Sequence, residues 1–512
     1  MTLAPAGSVL TFPSRLRTLC CTGSVLLLAL VATGCGRHST AADSGSGSNP
    51  GSPGAAGKPT DLVKLSQFGN STYCAIATGA DGTLHAVFTD SKGAGKPHFL
   101  YYRASKDGGA TWSDPKDLSD DESGDSAGPC RVLVDGAGRV YAIWKYINEN
   151  ELLEGPNGYA NGVLCFRCLE GGSWSRTQHF GDEHQPMTSY FAAVGPDGKV
   201  NLVYSRADEA LDWKGRGGIY QHANNLDQLT LDGASAPKVT ALMVAQHVAT
   251  QDEQNAASAA GHAMAYEDTV PRSDGLWNLN GYIAADGRPH FVAEKYPASS
   301  EPQWILLYDG QKLSHFYDYK GYLGYNSFSW PPALLLEADG KEHVIRKPEK
   351  SEKAVVRDYV VENGQPGDKT DVISNTSEKA TISGWFSSPL ANGRVAAMAA
   401  LAPNLNVMGP TDLYLAIGDG RGQWTKPLNL TDNEQREKFF ARSGMSQSTS
   451  YLPKFAAATS LPDGSIGVIL LNAERTISGL NVAGVTSGGS VVTGMSTSST
   501  ENPYVTFAKV TN

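Results

Sequence analysis

The sequence predicts an all-β protein, a β-propeller of four-stranded antiparallel blades, with seven blades the simplest tally and six the alternative. Three observations predict it. A turn-plus-strand unit recurs along most of the chain. The composition is that of a turn-rich β protein, with 56 Gly among 512 residues, 40% hydrophobic and only 18% charged residues. Outside the first 35 residues, no segment sustains a 3.6-residue apolar period over three turns, which excludes a helical solenoid.

The recurring unit begins with a tight turn. "ADGTLHAVFTD" (80–90), "GAGRVYAIWKY" (136–146) and "PDGKVNLVYSR" (196–206) are followed by "ADGRPHFVAEK" (285–295), "ADGKEHVIRKP" (338–348), "ANGRVAAMAAL" (391–401) and "PDGSIGVILLN" (462–472). The Asp-Gly, Asn-Gly or Gly-x-Gly element supplies the positive φ of a hairpin turn. An apolar run precedes most turns, as in "YCAIATG", "YFAAVG", "PALLLE" and "FAAATSL". Gly82, Gly138, Gly198, Gly287, Gly340, Gly393 and Gly464 mark the units, spaced by 56, 60, 89, 53, 53 and 71 residues. Periods near 50–60 residues with several strands each are propeller-like. Third strands are expected at "HFLYYRAS", "GVLCFRCLE", "GIYQHAN", "QWILLYDG", "AVVRDYVVE" and "DLYLAIGDG", and fourth strands at "KDLSDD", "VTALMVA", "TDVIS" and "LNLTD". The early run "DLVKLSQF" (61–68) reads as the outer strand of the last blade, beside the C-terminal "YVTFAKVTN". Closing the ring with both chain ends removes exposed sheet edges.

The first 35 residues read as a leader. Arg15 and Arg17 form a basic region, and "SVLLLALVAT" is too short to span a bilayer. The following "ATGC" resembles a bacterial lipobox, which implies that Cys35 carries a lipid anchor. Residues 36–60 are Gly, Ser, Pro and Ala with almost no apolar bulk, the composition of a flexible tether. The expected organisation is therefore leader 1–35, tether 36–60 and propeller 61–512, with the protein in the cell envelope facing the periplasm or exterior. Contact with the membrane is expected through the anchor only. The formal charge of -10 and the lack of a Lys/Arg cluster exclude a nucleic-acid partner.

Four cysteines lie in the propeller. Cys165 and Cys168 sit in the strand-like "GVLCFRCLE", where residues i and i+3 face opposite sides. They read as two core-facing or surface thiols, and no metal or cofactor is expected. Cys74 and Cys130 each lie eight residues before a marker Gly. They occupy equivalent inner-strand positions, and a disulfide or close thiol pair is expected.

The run "SKDGGATW" (105–112) falls between the third and fourth strands of the first unit. It resembles the Asp-box, or BNR, repeat of sialidase-like β-propellers. Partial copies occur at "LEGGSW" (169–174) and "GDGRGQW" (418–424). The resemblance implies a structural role for Ser105, Asp107, Gly109 and Trp112, on the face away from any active site. In sialidases the first inner strand carries an Arg that grips the substrate carboxylate. Cys74 stands there in "TYCAIATGADGTLHAVF", which argues against sialidase activity.

Propeller topology places a site where first strands begin and second strands end. Second-strand ends offer Asp90, Lys145, Tyr146, Arg206, Glu294, Lys295, Arg346 and Asn472, and first-strand starts add Tyr73, His184, Tyr190, Trp330 and Trp385. Trp213 joins them as one of several aromatics expected in the loops of this face. Two connections, 246–278 and 473–502, are unusually long. His184, Tyr190 and Arg206 are the candidate catalytic set, with His and Tyr as base and acid and Arg on a carboxylate. The trio is similar to that of seven-bladed BNR-type polysaccharide lyases. Two functions follow: a surface-tethered propeller binding a glycan or protein ligand at its axial mouth, or a carbohydrate-active enzyme, lyase or glycosidase.

Overall fold

The computed structural model describes residues 59–511, except 94–95, 121–125, 127, 147–162, 181–186, 207–224, 244–275, 296–302, 320–331, 349–353, 376–379, 403–410, 434–437, 443–444 and 486–490. The described chain opens with a two-residue strand, β1 (Val63–Lys64). Blade 1 follows as β2 (Cys74–Thr78), β3 (Leu84–Ser91), β4 (His98–Ser105) and β5 (Lys116–Asp117). Blade 2 comprises β6 (Cys130–Val134), β7 (Val140–Tyr146), β8 (Val163–Glu170) and β10 (Gln178–Phe180), with β9 (Ser173–Trp174) also on β8. Blade 3 is β11 (Met187–Val194), β12 (Val200–Arg206), β13 (Asn225–Leu231) and β14 (Lys238–Met243). Blade 4 is β15 (Leu276–Ile283), β16 (Pro289–Lys295), β17 (Gln303–Tyr308) and β18 (Leu313–Tyr319). Blade 5 is β19 (Ala333–Leu336), β20 (Glu342–Arg346), β21 (Val355–Glu362) and β22 (Gln365–Ser374), and blade 6 is β23 (Thr381–Pro389), β24 (Val395–Ala402), β25 (Asp412–Gly418) and β26 (Leu428–Asn429). The last sheet holds β27 (Lys438–Arg442), β28 (Met445–Ser460), β29 (Ile466–Val485) and β30 (Val491–Val510).

Every pairing is antiparallel, and the result is a seven-bladed propeller. The seventh blade closes in the order β28, β29, β30, β1, with Val63 opposite Phe507 and Lys64 opposite Thr506. Strands from the two ends of the described chain thus share one sheet, as the run at 61–68 predicts. All seven marker glycines have positive φ, from 66° to 83°. Hydrophobic clusters form between blades rather than within them. Leu84, Ala86 and Phe88 face Ile469, Val505 and Phe507 of blade 7, while Val87 and Leu100 face Val132, Ala142 and Trp144 of blade 2. Strand alternation drives this, since each sheet is covered on both faces and adjacent residues serve opposite neighbours.

Two expectations are corrected. The third strand of blade 3 is "NLDQLTL" at 225–231; the expected "GIYQHAN" at 218–224 lies outside the described residues. The segment 473–502 is largely strand, because β29 and β30 run on together until Val485 meets Val491. β27 pairs with the first residues of β28, along this extension, and is not a further blade strand. The extension is rich in Ser and Thr with Val among them, a polar composition compatible with a pleated ribbon.

The four propeller cysteines are free and buried. Cys165 faces blade 1 and Cys168 faces blade 3, opposite sides as expected. The disulfide expected between Cys74 and Cys130 is not formed. Equivalent positions in a ring point the same way around it. Cys74 packs toward blade 7, and Cys130 packs toward blade 1, at the back of Cys74. The two are neighbours, since Cys130 adds to the burial that raises the Cys74 thiol well above its ordinary value.

Candidate functional site

The run 105–112 builds a tight knot on the hairpin face, because Ser105 pairs with Leu84 beside the Gly82 turn. Ser105 Oγ donates to Asp107 Oδ1 at 2.8 Å and accepts from the Gly109 amide at 2.8 Å. Asp107 also accepts the Thr111 amide at 2.9 Å and the Thr111 hydroxyl at 2.5 Å. Trp112 Nε1 donates to the Gly109 carbonyl at 3.1 Å, and its ring meets Phe507 edge-on at 5.2 Å. Five donors of the run are thus satisfied from within it, and the Trp clamps blade 1 to blade 7.

The opposite face is the mouth. There, Tyr73 and Thr89, Met187 and Arg206, Leu276 and Lys295, and Pro453 and Asn472 stand at the paired ends of inner strands. Four inner strands carry a register irregularity at this end, between Met187 and Ser189, Trp277 and Asn280, Ile382 and Gly384, and Pro453 and Phe455. Bulges re-aim side chains at the rims of closed sheets. In blade 4 the bulge puts Asn278 at φ 54°, and its amide donates to Glu294 Oε2 at 2.6 Å.

The structure sorts the candidate residues. Asp90 is buried and accepts from the amides of Gln67, Phe68, Asn70 and Ser91 at 3.0, 2.9, 3.2 and 3.2 Å and from Ser71 Oγ at 3.1 Å. It ties down the segment after β1, a structural role for a carboxylate at a strand end. Asp90→Ala is expected to cost about 3 kcal/mol by leaving several buried donors unanswered, read as a lower denaturation midpoint. Arg346 is fully buried, with its guanidinium 5.3 Å from the Tyr359 ring. Trp385 belongs to the core between blades 5 and 6, and Tyr146 to the core between blades 1 and 2. Glu294 is buried against Asn278. Arg206 and Lys295 end their strands at the mouth, but nothing is described of their side chains. His184, Trp213, Trp330 and the anchor Cys35 lie outside the described residues.

One sector of the mouth brings candidates together. Tyr190 of blade 3 donates its hydroxyl to the Pro129 carbonyl at 2.7 Å, at the start of β6. The Arg131 guanidinium lies 5.8 Å from the Tyr190 ring centroid and donates to the Cys130 carbonyl at 3.0 Å. Tyr73 of blade 1 flanks the same strand. Its phenol is pushed up to about 12 by burial, with Cys130 adding to the rise and Arg131 opposing it. Burial likewise holds the Tyr190 phenol above its ordinary range, with its proton engaged by the Pro129 carbonyl. Beyond Tyr73, an edge-on aromatic chain runs to Phe455 at 6.3 Å and on to Phe386 at 5.4 Å.

Lys145 completes the sector. It stands two residues beyond Ile143, the cross-strand partner of Arg131. The two cations are therefore diagonal neighbours, about 7–8 Å apart at the backbone. Lys145 lies over Gly128, whose missing Cβ would fall 2.4 Å from Lys145 Cβ. Burial lowers its ammonium from 10.5 to about 8. Lys145 and Arg131 have no carboxylate partner among the described residues, whereas Lys454 and Arg475 share Glu501 at 3.0 and 2.9 Å and Arg167 holds Asp120 at 2.7 Å. Arg131 was missed in the sequence because it lies inside a strand; its signal is a cation at the second residue of an inner strand.

On the hairpin face, Glu337, His343 and Asp358 of blade 5 form the group of possible metal ligands found among the described residues.

No family model matches the chain, and no curated protein matches it. The chain is similar in structure to a protein of unknown function from Dyadobacter fermentans, at 10% identity, TM-score 0.40, over 90% of this chain and 99% of that one. It is similar to a Penicillium chrysogenum alpha-L-arabinanase complexed with arabinobiose, at 11% identity, TM-score 0.38, over 89% and 98% of the two chains. A Hadza microbial sialidase matches at 11% identity, TM-score 0.36, over 78% of this chain and 63% of that one.

Proposed function

We propose that this protein is a lipid-tethered, extracytoplasmic propeller that binds an anionic glycan at its axial mouth. The observation that carries the reading is the pair Arg131 and Lys145. Two half-buried cations without carboxylate partners among the described residues are costly in the free protein unless a ligand anion meets them. They stand out further in a chain whose formal charge is -10. The half-buried rings of Tyr73 and Phe455 beside them suit the faces of sugar rings, and an axial concavity lets these groups converge. The direct test is calorimetry with uronate-bearing oligosaccharides and their neutral counterparts. Binding of the charged series alone supports the reading, and equal or absent binding of both rejects it.

A second reading, a carbohydrate-active enzyme, rests on Lys145 alone. A lysine that titrates near 8 is suited to proton abstraction near neutral pH. It is distinguished by incubation with the same oligosaccharides, where chain cleavage marks an enzyme and intact recovery marks a binder.

Location has its own test. Cys35→Ser is expected to move the protein from the membrane fraction to the soluble fraction. A wild-type protein that is already soluble and carries no lipid by mass spectrometry rejects the anchor.

A further inference from the structure

The structure assigns a second site, remote from the mouth: a buried binding site for one divalent first-row transition ion in blade 5, formed by Glu337, His343 and Asp358. The three come from consecutive strands, Glu337 just after β19, His343 in β20 and Asp358 in β21. Each offers a donor atom, and the donor atoms all lie within 4.8 Å of one another. His343 Nδ1 is 2.9 Å from Asp358 Oδ1 and 3.7 Å from Glu337 Oε1.

Glu337 is what separates this group from an ordinary ion-pair network. Its side chain is 1% exposed, and neither carboxylate oxygen has a hydrogen-bond partner among the described residues. A buried carboxylate left in that state is among the most costly arrangements a fold can hold. Nor does the local turn require it. In blade 2 the equivalent position, three residues before the marker Gly, is Asp135. That carboxylate accepts the Ala137 and Arg139 amides, Arg139 Nε and the Tyr141 hydroxyl, at 2.9, 2.9, 2.7 and 3.2 Å. In blade 5 the turn amide of Lys341 goes instead to Asp339 Oδ1 at 2.9 Å. Glu337 is therefore surplus to the turn and is aimed at the histidine.

The surroundings are those of a metal site. On its far side, His343 Nε2 faces Asp339 Oδ2 at 3.4 Å, the carboxylate–histidine arrangement that fixes ring orientation in metal centres. Asp358 Oδ2 accepts from Trp424 Nε1 of blade 6 at 3.3 Å. An ion about 2.1 Å from each donor would hold the donors about 3.4 Å apart, so His343 Nδ1 and Asp358 Oδ1 would part slightly from 2.9 Å while Glu337 Oε1 moves in from 3.7 Å. One imidazole with two carboxylates suits zinc or manganese, while calcium takes six or more oxygens. Two ligand carboxylates neutralise a divalent charge. The ion would staple three strands of blade 5 and, through Trp424, brace blade 6. This goes beyond the metal-free reading of the sequence.

The test uses the full chain, stripped with chelator and then dialysed against zinc chloride or manganese chloride. Elemental analysis is expected to give one ion per chain, and the melting temperature is expected to rise by several degrees on reloading. Glu337→Gln, which keeps the shape, should reduce bound metal at least tenfold. Wild type that binds neither ion and melts at the same temperature with and without them overturns the site. So does metal retained at full stoichiometry in Glu337→Gln, which places the ion elsewhere. Should the variant fail to fold, the wild-type stoichiometry and melting shift still decide.

Discussion

Gly109→Ala is expected to destabilise the propeller by about 3 kcal/mol or more, with no change at the mouth. Two effects add. Gly109 has φ 92°, a conformation side chains rarely adopt, and imposing it costs about 1–3 kcal/mol. A Cβ there would fall 2.0 Å from Phe507 Cε1 and 2.6 Å from Cζ, and such overpacking costs about 1–3 kcal/mol more. Phe507 cannot retreat cheaply, since it is buried, braced edge-on by Trp112 and paired opposite Val63 where the ring closes. Gly171→Ala separates the two effects. Gly171 has φ 57° but nothing within 4 Å of its ideal Cβ, so it should show the strain alone. Denaturant midpoints for both variants measure the difference. If Gly109→Ala and Gly171→Ala shift the midpoint equally, the clamp between blades 1 and 7 does not matter to stability.

The same contrast explains what the sequence made legible. Turn chemistry is local: a Gly at positive φ is readable from its neighbours, and all seven markers fall where expected. Strand periodicity and the closure by 61–68 follow from equally local patterns. Polar strands are harder. "NLDQLTL" and the Thr/Ser-rich extension after Asn472 carry little apolar signal, yet they pair because a partner strand supplies the hydrogen bonds. Charges at strand ends are harder still. Asp90 and Lys145 both occupy the end of a second strand, but one is saturated by five donors and the other meets no carboxylate among the described residues. Nothing within a few residues of either tells them apart. The group at Glu337, His343 and Asp358 depends on register, since His343 meets Asp358 across the pairing of β20 with β21.

The pair at the mouth gives the other large effect. Lys145→Met is expected to weaken binding of a uronate-bearing oligosaccharide by about 2–3 kcal/mol, or roughly 30–150-fold, the loss usual when one partner of a desolvated charge pair is removed. Arg131→Met should do the same, and the double variant should lose less than the sum, because diagonal neighbours answering one anion are coupled. The pH dependence fixes the assignment. Lys145 is lowered to about 8 in the folded protein from an ordinary 10.5. Below pH 8 the ammonium is charged and affinity is full; above it the proton is lost and affinity falls. Stability moves the other way in the free protein. Between about pH 8 and 10.5 the unfolded chain binds more protons than the folded one, so stability rises with pH across that window. Lys145→Met should abolish both slopes, whereas Arg131→Met should leave them in place because its guanidinium stays charged throughout. Calorimetric titrations across that window, with denaturation curves alongside, read both. An affinity that is flat across pH 8 in wild type would remove Lys145 from the site, whatever the single variants do.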